Sequence, residues 1–345
     1  MAKKTTIYDI AKELNVTAAT VSRALNDNPR ISSDTKKLVM ETAAKMDYKQ
    51  NRLAQALKSG KSKNVGVVLP YINRNFFSTV IRGIEEELNP MGYKVIICQT
   101  HEDEKKEIDT VLNLLDAQVD GILISISRKT KSTEHFKQVL NKNVPLIFFD
   151  RKKDMEGVSS VTLDDYQGAY QVTQHLIDQG CSKIAHLSVD RSLQIYQNRF
   201  EGYKQALLDN GLDYNPDYLV GLKSEIEGGK EAAKQLIELK NPPDAIFSSS
   251  DLGALGAIQY LRDMGIRIPE DFCVVGFSNE PFTQFMELPI SSVDQSPLLM
   301  GKTAAKVFLE QIDSVGVKIE KRMVLAPSLE IRKSSSKKEL IKLSI

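Results

Sequence analysis

Residues 17–26, TAATVSRALN, set Ala18, Ala19, Thr20, Ser22, Arg23 and Asn26 away from the apolar face that Val21, Ala24 and Leu25 would form on a short helix. These side chains are small, polar or cationic, with no acid among them. Such a surface can come close to base edges and phosphates. The chemistry implied is non-covalent recognition of a duplex; the alternative is an ordinary helical hairpin. Signatures of bond-making chemistry are missing. Gly60-Lys61-Ser62 ends like a phosphate-binding loop, but Gln55 stands where its first glycine would be. Ser33 and Lys36 have the spacing of a serine nucleophile and its base, yet they open a helix, where a serine cap accounts for them. His101, His135, His175 and His186 show no ligand spacing, and Cys98, Cys181 and Cys273 lie far apart in apolar runs. No enzyme activity, metal or cofactor is expected, and the thiols read as buried and free.

The elements that must position the recognition surface are legible on either side of it. Thr6 caps a first helix with Asp9 completing a capping box, and Ile7, Ile10, Ala11 and Leu14 fall on one face. Asn15 tolerates the left-handed turn that a sharp helix end needs, and Thr17 caps the second helix. Ser32 caps a third, with Leu38, Val39, Ala43 and Met46 as its stripe. Residues 1–63 carry 13 Lys or Arg against 6 Asp or Glu, while the rest of the chain carries 33 against 39. The overall charge of +1 thus hides a basic head on an acidic body, as expected if only the head meets phosphates. From Asn64 onward strands and helices alternate: NVGVVL, KVIICQ, GILIS and PLIFFD, then a second series opened by SSVTLD and continued by KIAHLSV, DAIFSS and CVVGF. This βα repetition predicts two mostly parallel sheets in two similar lobes, with a ligand crevice at the carboxyl ends of the strands. A closing helix near 298–311 and one strand near 323–331 follow. No apolar run approaches the roughly 20 residues that span a bilayer. The start, MAKKTTIYD, lacks the apolar core of a secretory signal, so a cytoplasmic protein is expected.

T-I-Y-D-I-A, V-T-x-x-T-V-S-R-A-L-N, Y-x-x-N-x-x-A-x-x-L and V-G-V-V-L-P occur in this order and spacing. Together they resemble the lactose-repressor (LacI/GalR) family of bacterial transcription regulators, over nearly the whole chain. The resemblance implies an all-α helix-turn-helix head with a hinge helix near 51–58 (together 1–63) and a bilobed α/β body of the periplasmic-binding-protein type (64–345). It divides the body into a first lobe of about 64–161 and 293–326 and a second of about 162–292 and 327–345, joined by three crossovers. DNA contacts are implied for Thr6, Tyr8, Thr17, Ala18, Ala19, Thr20, Ser22, Arg23 and Asn26, and for the hinge residues Asn51, Ala54, Leu57 and Lys58. Effector contacts are implied for Phe76, Phe77, Asp150, Arg199, Ser250, Asp251, Ser278, Asn279 and Gln295. Four of these keep a second reading: Phe76 and Phe77 as helix core, Arg199 as a surface ion pair, and Asp251 as a helix cap. The sequence departs from the family at Ser278, where an Asp is usual, and at Tyr71 and Arg74-Asn75 in PYINRNFF. One carboxylate fewer opens the crevice to an anionic sugar derivative; a neutral sugar is the alternative. The partners implied are an operator duplex, a sugar-like effector and a second copy of the chain. The short polar tail lacks the heptads of a tetramerising helix, which favours a dimer. A sugar receptor without DNA function is the rival, since the body alone resembles periplasmic sugar-binding proteins.

Overall fold

The computed structural model describes residues 5–49, 60–222, 225–313 and 320–337. The chain divides into a head, Met1–Ser62, and a body, Lys63–Ile345. The hinge residues Asn51, Ala54, Leu57 and Lys58 lie outside the described residues.

The head holds α1 (Ile7–Glu13), α2 (Ala18–Leu25) and α3 (Ser33–Lys45). Each begins at a side-chain cap, which satisfies backbone N–H groups that the first turn leaves without partners. Thr6 and Asp9 form the capping box: the Asp9 carboxylate accepts the Thr6 N–H at 2.8 Å, and Thr6 Oγ1 accepts the Asp9 N–H at 3.4 Å. Thr17 accepts from Thr20 N–H at 3.1 Å, and Ser32 from Thr35 N–H at 3.3 Å. Asn15 turns the chain at φ 53°. Ile10, Ala11, Val21, Ala24, Val39 and Ala43 close a small core. Leu38, expected in the α3 stripe, is instead 51% exposed. Val39 and Ala43 set the buried face, and Leu38 lies roughly 100° around the helix from Val39.

In the body, β1 (Asn64–Leu69), α4 (Asn75–Leu88), β2 (Lys94–Gln99), α5 (Glu104–Asp116), β3 (Gly121–Ile124), α6 (Glu134–Asn141), β4 (Leu146–Phe149) and β5 (Ser159–Leu163) build the first lobe. The second holds α7 (Asp165–Asp178), β6 (Ile184–Ser188), α8 (Gln194–Asp209), β7 (Leu219–Gly221), α9 (Ile226–Ile237) and β8 (Ala245–Ser248). It continues through α10 (Asp251–Asp263), β9 (Cys273–Ser278), α11 (Phe282–Phe285) and β10 (Ser291–Asp294). The chain then returns as α12 (Pro297–Asp313), β11 (Arg322–Leu325) and β12 (Ser328–Glu330). Among the described residues the sheet orders are β11-β5-β4-β3-β1-β2 and β12-β10-β9-β8-β6-β7. All pairs are parallel except β10 with β12.

Three details differ from the expectation. β5 pairs with β4, Ile147 opposite Ser159, so Thr162 and Leu163 belong to the first sheet and not to the second lobe. β10 pairs with β9, which puts Val293 and Asp294 in the second sheet. The single strand expected near 323–331 is two: β11 joins the first sheet and β12 the second. Pro327, which has no N–H to give a ladder, stands between them. β5 and β10 are buried on both faces, and such a strand reads the same whichever sheet it joins, so periodicity could not place them.

The helix pairs α4–α12 and α7–α8 touch backbone to backbone. A Cβ on Gly301 would lie 2.1 Å from Val80 O, and one on Gly202 would lie 2.1 Å from Tyr166 O. Glycine is required there by close approach. Among the described residues no helix is long and apolar enough to cross a membrane.

Candidate functional site

On the head, Thr6, Thr17, Ala19, Arg23 and Asn26 are exposed, and Ala18, Thr20 and Ser22 are partly so. Tyr8 is 72% exposed. Several of these groups also hold the head together. Thr6 and Thr17 are caps, Thr20 Oγ1 lies 2.9 Å from Thr17 Oγ1, and Asn26 Nδ2 donates to Ser22 O at 2.7 Å. Lys36 pairs with Asp27 at 2.6 Å, so the Ser33–Lys36 spacing builds no nucleophile.

In the body, segments following the carboxyl ends of strands from both sheets meet around a cavity of about 130 Å³. That is space for several waters and hence for a compact polar ligand. Phe76, Phe77, Asp150, Arg199, Ser250, Asp251, Ser278 and Gln295 line it. Asn279 does not: its Nδ2 donates to Asp294 Oδ2 at 2.8 Å and its Oδ1 accepts from Arg332 Nη2 at 2.7 Å. Phe76 and Phe77 belong to the core, one of the two readings left open for them. They pack in the core edge to face, with centroids 5.2 Å apart, and they also line the crevice. Glu102, Arg128, Arg151, Tyr196, Ser249 and Glu280 line the cavity too and were not foreseen; Tyr71 and Arg74, departures from the family pattern, also line it. The signal was at hand in part: Tyr71 and Arg74 stand in PYINRNFF, Arg151 follows Asp150, and Glu280 ends VVGFSNE.

Arg199 is a buried residue, 3% exposed, and its ion pair is not a surface one. Its Nε donates to Asp165 Oδ1 at 2.7 Å and its Nη1 to Ser249 O at 3.0 Å. The guanidinium stacks 3.6 Å from the Phe277 ring centroid. A guanidinium has five N–H groups, so this fork is fixed while some remain to face the cavity. Burial drives the Asp165 carboxyl up to about 6 against the pull of Arg199. Asp251 is no cap: it accepts from Ser292 Oγ at 2.6 Å and from Glu280 N–H at 2.7 Å. Burial raises it also to about 6. Asp150 is pushed up by burial, and Ser125 Oγ donates to it at 3.1 Å. Glu102 goes the other way; burial opposes its charge, but Arg151 and the Arg128 N–H hold the carboxyl below its usual range. Arg151 Nη1 reaches both Glu102 oxygens, at 2.9 and 3.1 Å. The lining cations Arg74, Arg128, Arg151 and Arg199 are thus matched by Glu102, Asp150, Asp251 and Glu280. Asp150 and Ser278 hold φ of 60° and 125°, strained values for residues with a Cβ and of a kind found at binding sites. His186, by contrast, is buried between the Tyr203 and Phe247 rings, where burial pushes its imidazole down to about 3.

A helix-turn-helix head on a body of two parallel-sheet lobes defines a class: DNA-binding regulators with a periplasmic-binding-protein-like domain. The profile of "Bacterial regulatory proteins, lacI family" matches residues 6–51. That of "Periplasmic binding proteins and sugar binding domain of LacI family" matches residues 62–332. The chain is 33% identical to the catabolite control protein A of Priestia megaterium over 324 residues, 92% of this chain and 97% of that protein. The structure of a transcriptional regulator CelR–cellobiose complex aligns with a TM-score of 0.72 at 26% identity, over 96% of this chain and 100% of the other. The lac repressor dimer bound to operator and the anti-inducer ONPF shares the fold with a TM-score of 0.84, at 24% identity over 96% of this chain and 99% of that one. The chain belongs to the LacI family of bacterial regulatory proteins, and it is a DNA-binding transcription regulator with an effector-binding body. The match over residues 6–51 sets aside a receptor without DNA function.

Proposed function

We propose that this protein is a homodimeric repressor of the bacterial cytoplasm whose operator binding is controlled by a neutral, sugar-like effector held between the lobes. The observation that carries the effector class is the charge balance of the crevice. Fixed arginine donors alternate with carboxylate acceptors, and Phe76 and Phe77 supply apolar faces. That pattern suits hydroxyl groups that both donate and accept, beside the apolar face of a sugar ring. The equal numbers of cations and anions give an anion no advantage, so the loss of an acid at Ser278 does not by itself select an anionic ligand. In each head α2 enters a major groove, with Thr17, Ala18, Ala19, Thr20, Ser22, Arg23 and Asn26 toward the DNA and Thr6 and Tyr8 beside them; two heads read a pseudo-palindrome. Asn51, Ala54, Leu57 and Lys58 join the head to the body and take part in the hinge contact. Asp150 from one lobe and Arg199, Ser250 and Asp251 from the other grip the effector, with Ser278 and Gln295 at its edge. Closure on the ligand then shifts the spacing of the heads.

A thermal-shift screen of neutral sugars, sugar acids and nucleobases tests the effector class. Fluorescence anisotropy on a duplex selected from random sequence then tests the coupling. Neutral sugars should raise the melting temperature and change duplex affinity at least about fivefold, a typical allosteric coupling. Stabilisation by sugar acids alone would overturn the neutral-effector reading. A stabilising sugar without any change in duplex affinity would overturn the coupling.

A further inference from the structure

A second cavity, of about 580 Å³, shares Arg128 with the inner crevice and is not used by the effector reading. Its walls come from the start of α5 (Asp103, Glu104, Lys105), from the loop after β3 (Arg128, Lys129, Lys131) and from Lys153 after β4. The second lobe adds Asp190 and Ser192. The cations outnumber the acids here, in a body that carries more acids than bases overall.

The acids are also already engaged. Asp103 caps α5, accepting the Lys106 N–H at 2.9 Å. Glu104 Oε1 accepts the N–H groups of Lys131 and Ser132 at 2.6 and 2.7 Å. Asp190 accepts the Ser192 N–H at 3.0 Å. Backbone N–H groups hold Asp103 and Glu104 below the usual carboxylate range, so both stay charged and turned toward the main chain. Lys105, Lys129 and Lys131 are exposed, and none of them or Lys153 forms an ion pair among the described residues. Arg128 lines both cavities, and its buried Nε has no hydrogen-bond partner.

We propose that this cavity is a second small-molecule site, taking a compact polyanion of the di- or polyphosphate class. Several flexible ammonium groups around a roomy, open basin suit a spread-out charge, whereas the inner crevice is small and balanced. The ligand lies on lysines of the first lobe beside the Asp190 loop of the second, at the seam where the lobes move, so its occupancy feeds into the same closure. The site goes beyond the sugar effector and does not depend on which sugar occupies the inner crevice.

Inorganic pyrophosphate is the probe, titrated by calorimetry into the full chain at matched ionic strength. Lys129→Gln/Lys131→Gln and Lys105→Gln/Lys153→Gln are compared with the parent; Lys105, Lys129 and Lys131 are exposed and Lys153 is partly so, and the melting temperature of each variant checks that the fold is kept. The site predicts that pyrophosphate binds the parent and that each double variant binds at least about tenfold more weakly, a factor worth about 1.4 kcal/mol. No binding to the parent overturns the proposal. So does binding that both variants keep within about twofold, since that would put the anion on the basic head or in the inner crevice.

Discussion

Replacing Asp165 by Asn should leave the shape of the body intact and its stability badly reduced. Arg199 is 3% exposed, lies against the Phe277 ring, and has Asp165 as its only ion-pair partner among the described residues. The amide keeps the volume and one oxygen acceptor but removes the counter-charge. Stranding one member of a buried pair costs about 3–5 kcal/mol. For a domain of this size class each kcal/mol lowers the melting temperature by about 2–4 °C, so the body transition should fall by about 6–20 °C at pH 7. The pH dependence supplies an internal control. Asp165 is raised to about 6 in the folded protein, so between pH 7 and 5 the folded parent takes up a proton that the unfolded chain does not; the parent gains stability as pH falls, and its gap to the variant, which has no carboxyl to titrate, should widen. Asp165→Asn/Arg199→Met, which removes both charges, should recover most of the loss, because replacing a buried pair by apolar groups is often close to neutral. Scanning calorimetry of the parent, both single variants and the double variant at pH 5 and 7 gives the coupling. A single-variant loss under about 1 kcal/mol, or a double variant that simply sums the singles, would refute the account of Arg199 as a cation held by Asp165.

Arg23→Ala should weaken operator binding by about 1–3 kcal/mol if Arg23 reads a guanine; a panel of base-substituted operators distinguishes loss of preference at one position from uniform weakening. Operator affinity should fall by about 10³–10⁵ between roughly 50 and 200 mM salt for about 6–10 phosphate contacts; anisotropy showing a flat salt response would contradict recognition through the basic head. Gly301→Ala puts a methyl 2.1 Å from Val80 O and must part α4 from α12, so a loss of about 1–3 kcal/mol is expected by chemical denaturation. Asp251 should titrate near pH 6 in carboxyl-detected NMR. Because that value is raised in the fold, its contribution to stability is greatest below about pH 4 and is lost as pH climbs through 6; a midpoint under 4 would show that burial does not govern the group.

The head could be read from its caps because Thr6, Asp9, Thr17 and Ser32 act on backbone within a few residues of themselves, and local interactions leave local signatures. Leu38 failed because a stripe on a short helix admits either of two neighbouring faces, and tertiary contact chose the one through Val39. Strand membership failed at β5 and at the β11–β12 break because it is settled by partners far along the chain. Of the crevice residues that the family pattern names, all but Asn279 line the cavity. Arg151, Glu102 and Tyr196 were not foreseen, since only the fold brings residues from different strand ends face to face. Asp165 behind Arg199 was missed for the same reason: 34 residues separate them and no spacing rule joins them.

The return of the chain at α12, β11 and β12 governs how the protein can be born. A ribosome delivers the first five strands of the first sheet long before the sixth, and the last two strands it makes, β11 and β12, go to opposite lobes. Until the segment beyond Pro297 has emerged, α4 lacks its glycine-matched partner and both sheets keep an open flank beside β5 and β10. Neither lobe can therefore complete its sheet before the chain returns, and nascent chains must pass through a stage in which the strands β5 and β10, buried in the finished fold, lack a partner on one side, the condition that invites aggregation and chaperone capture.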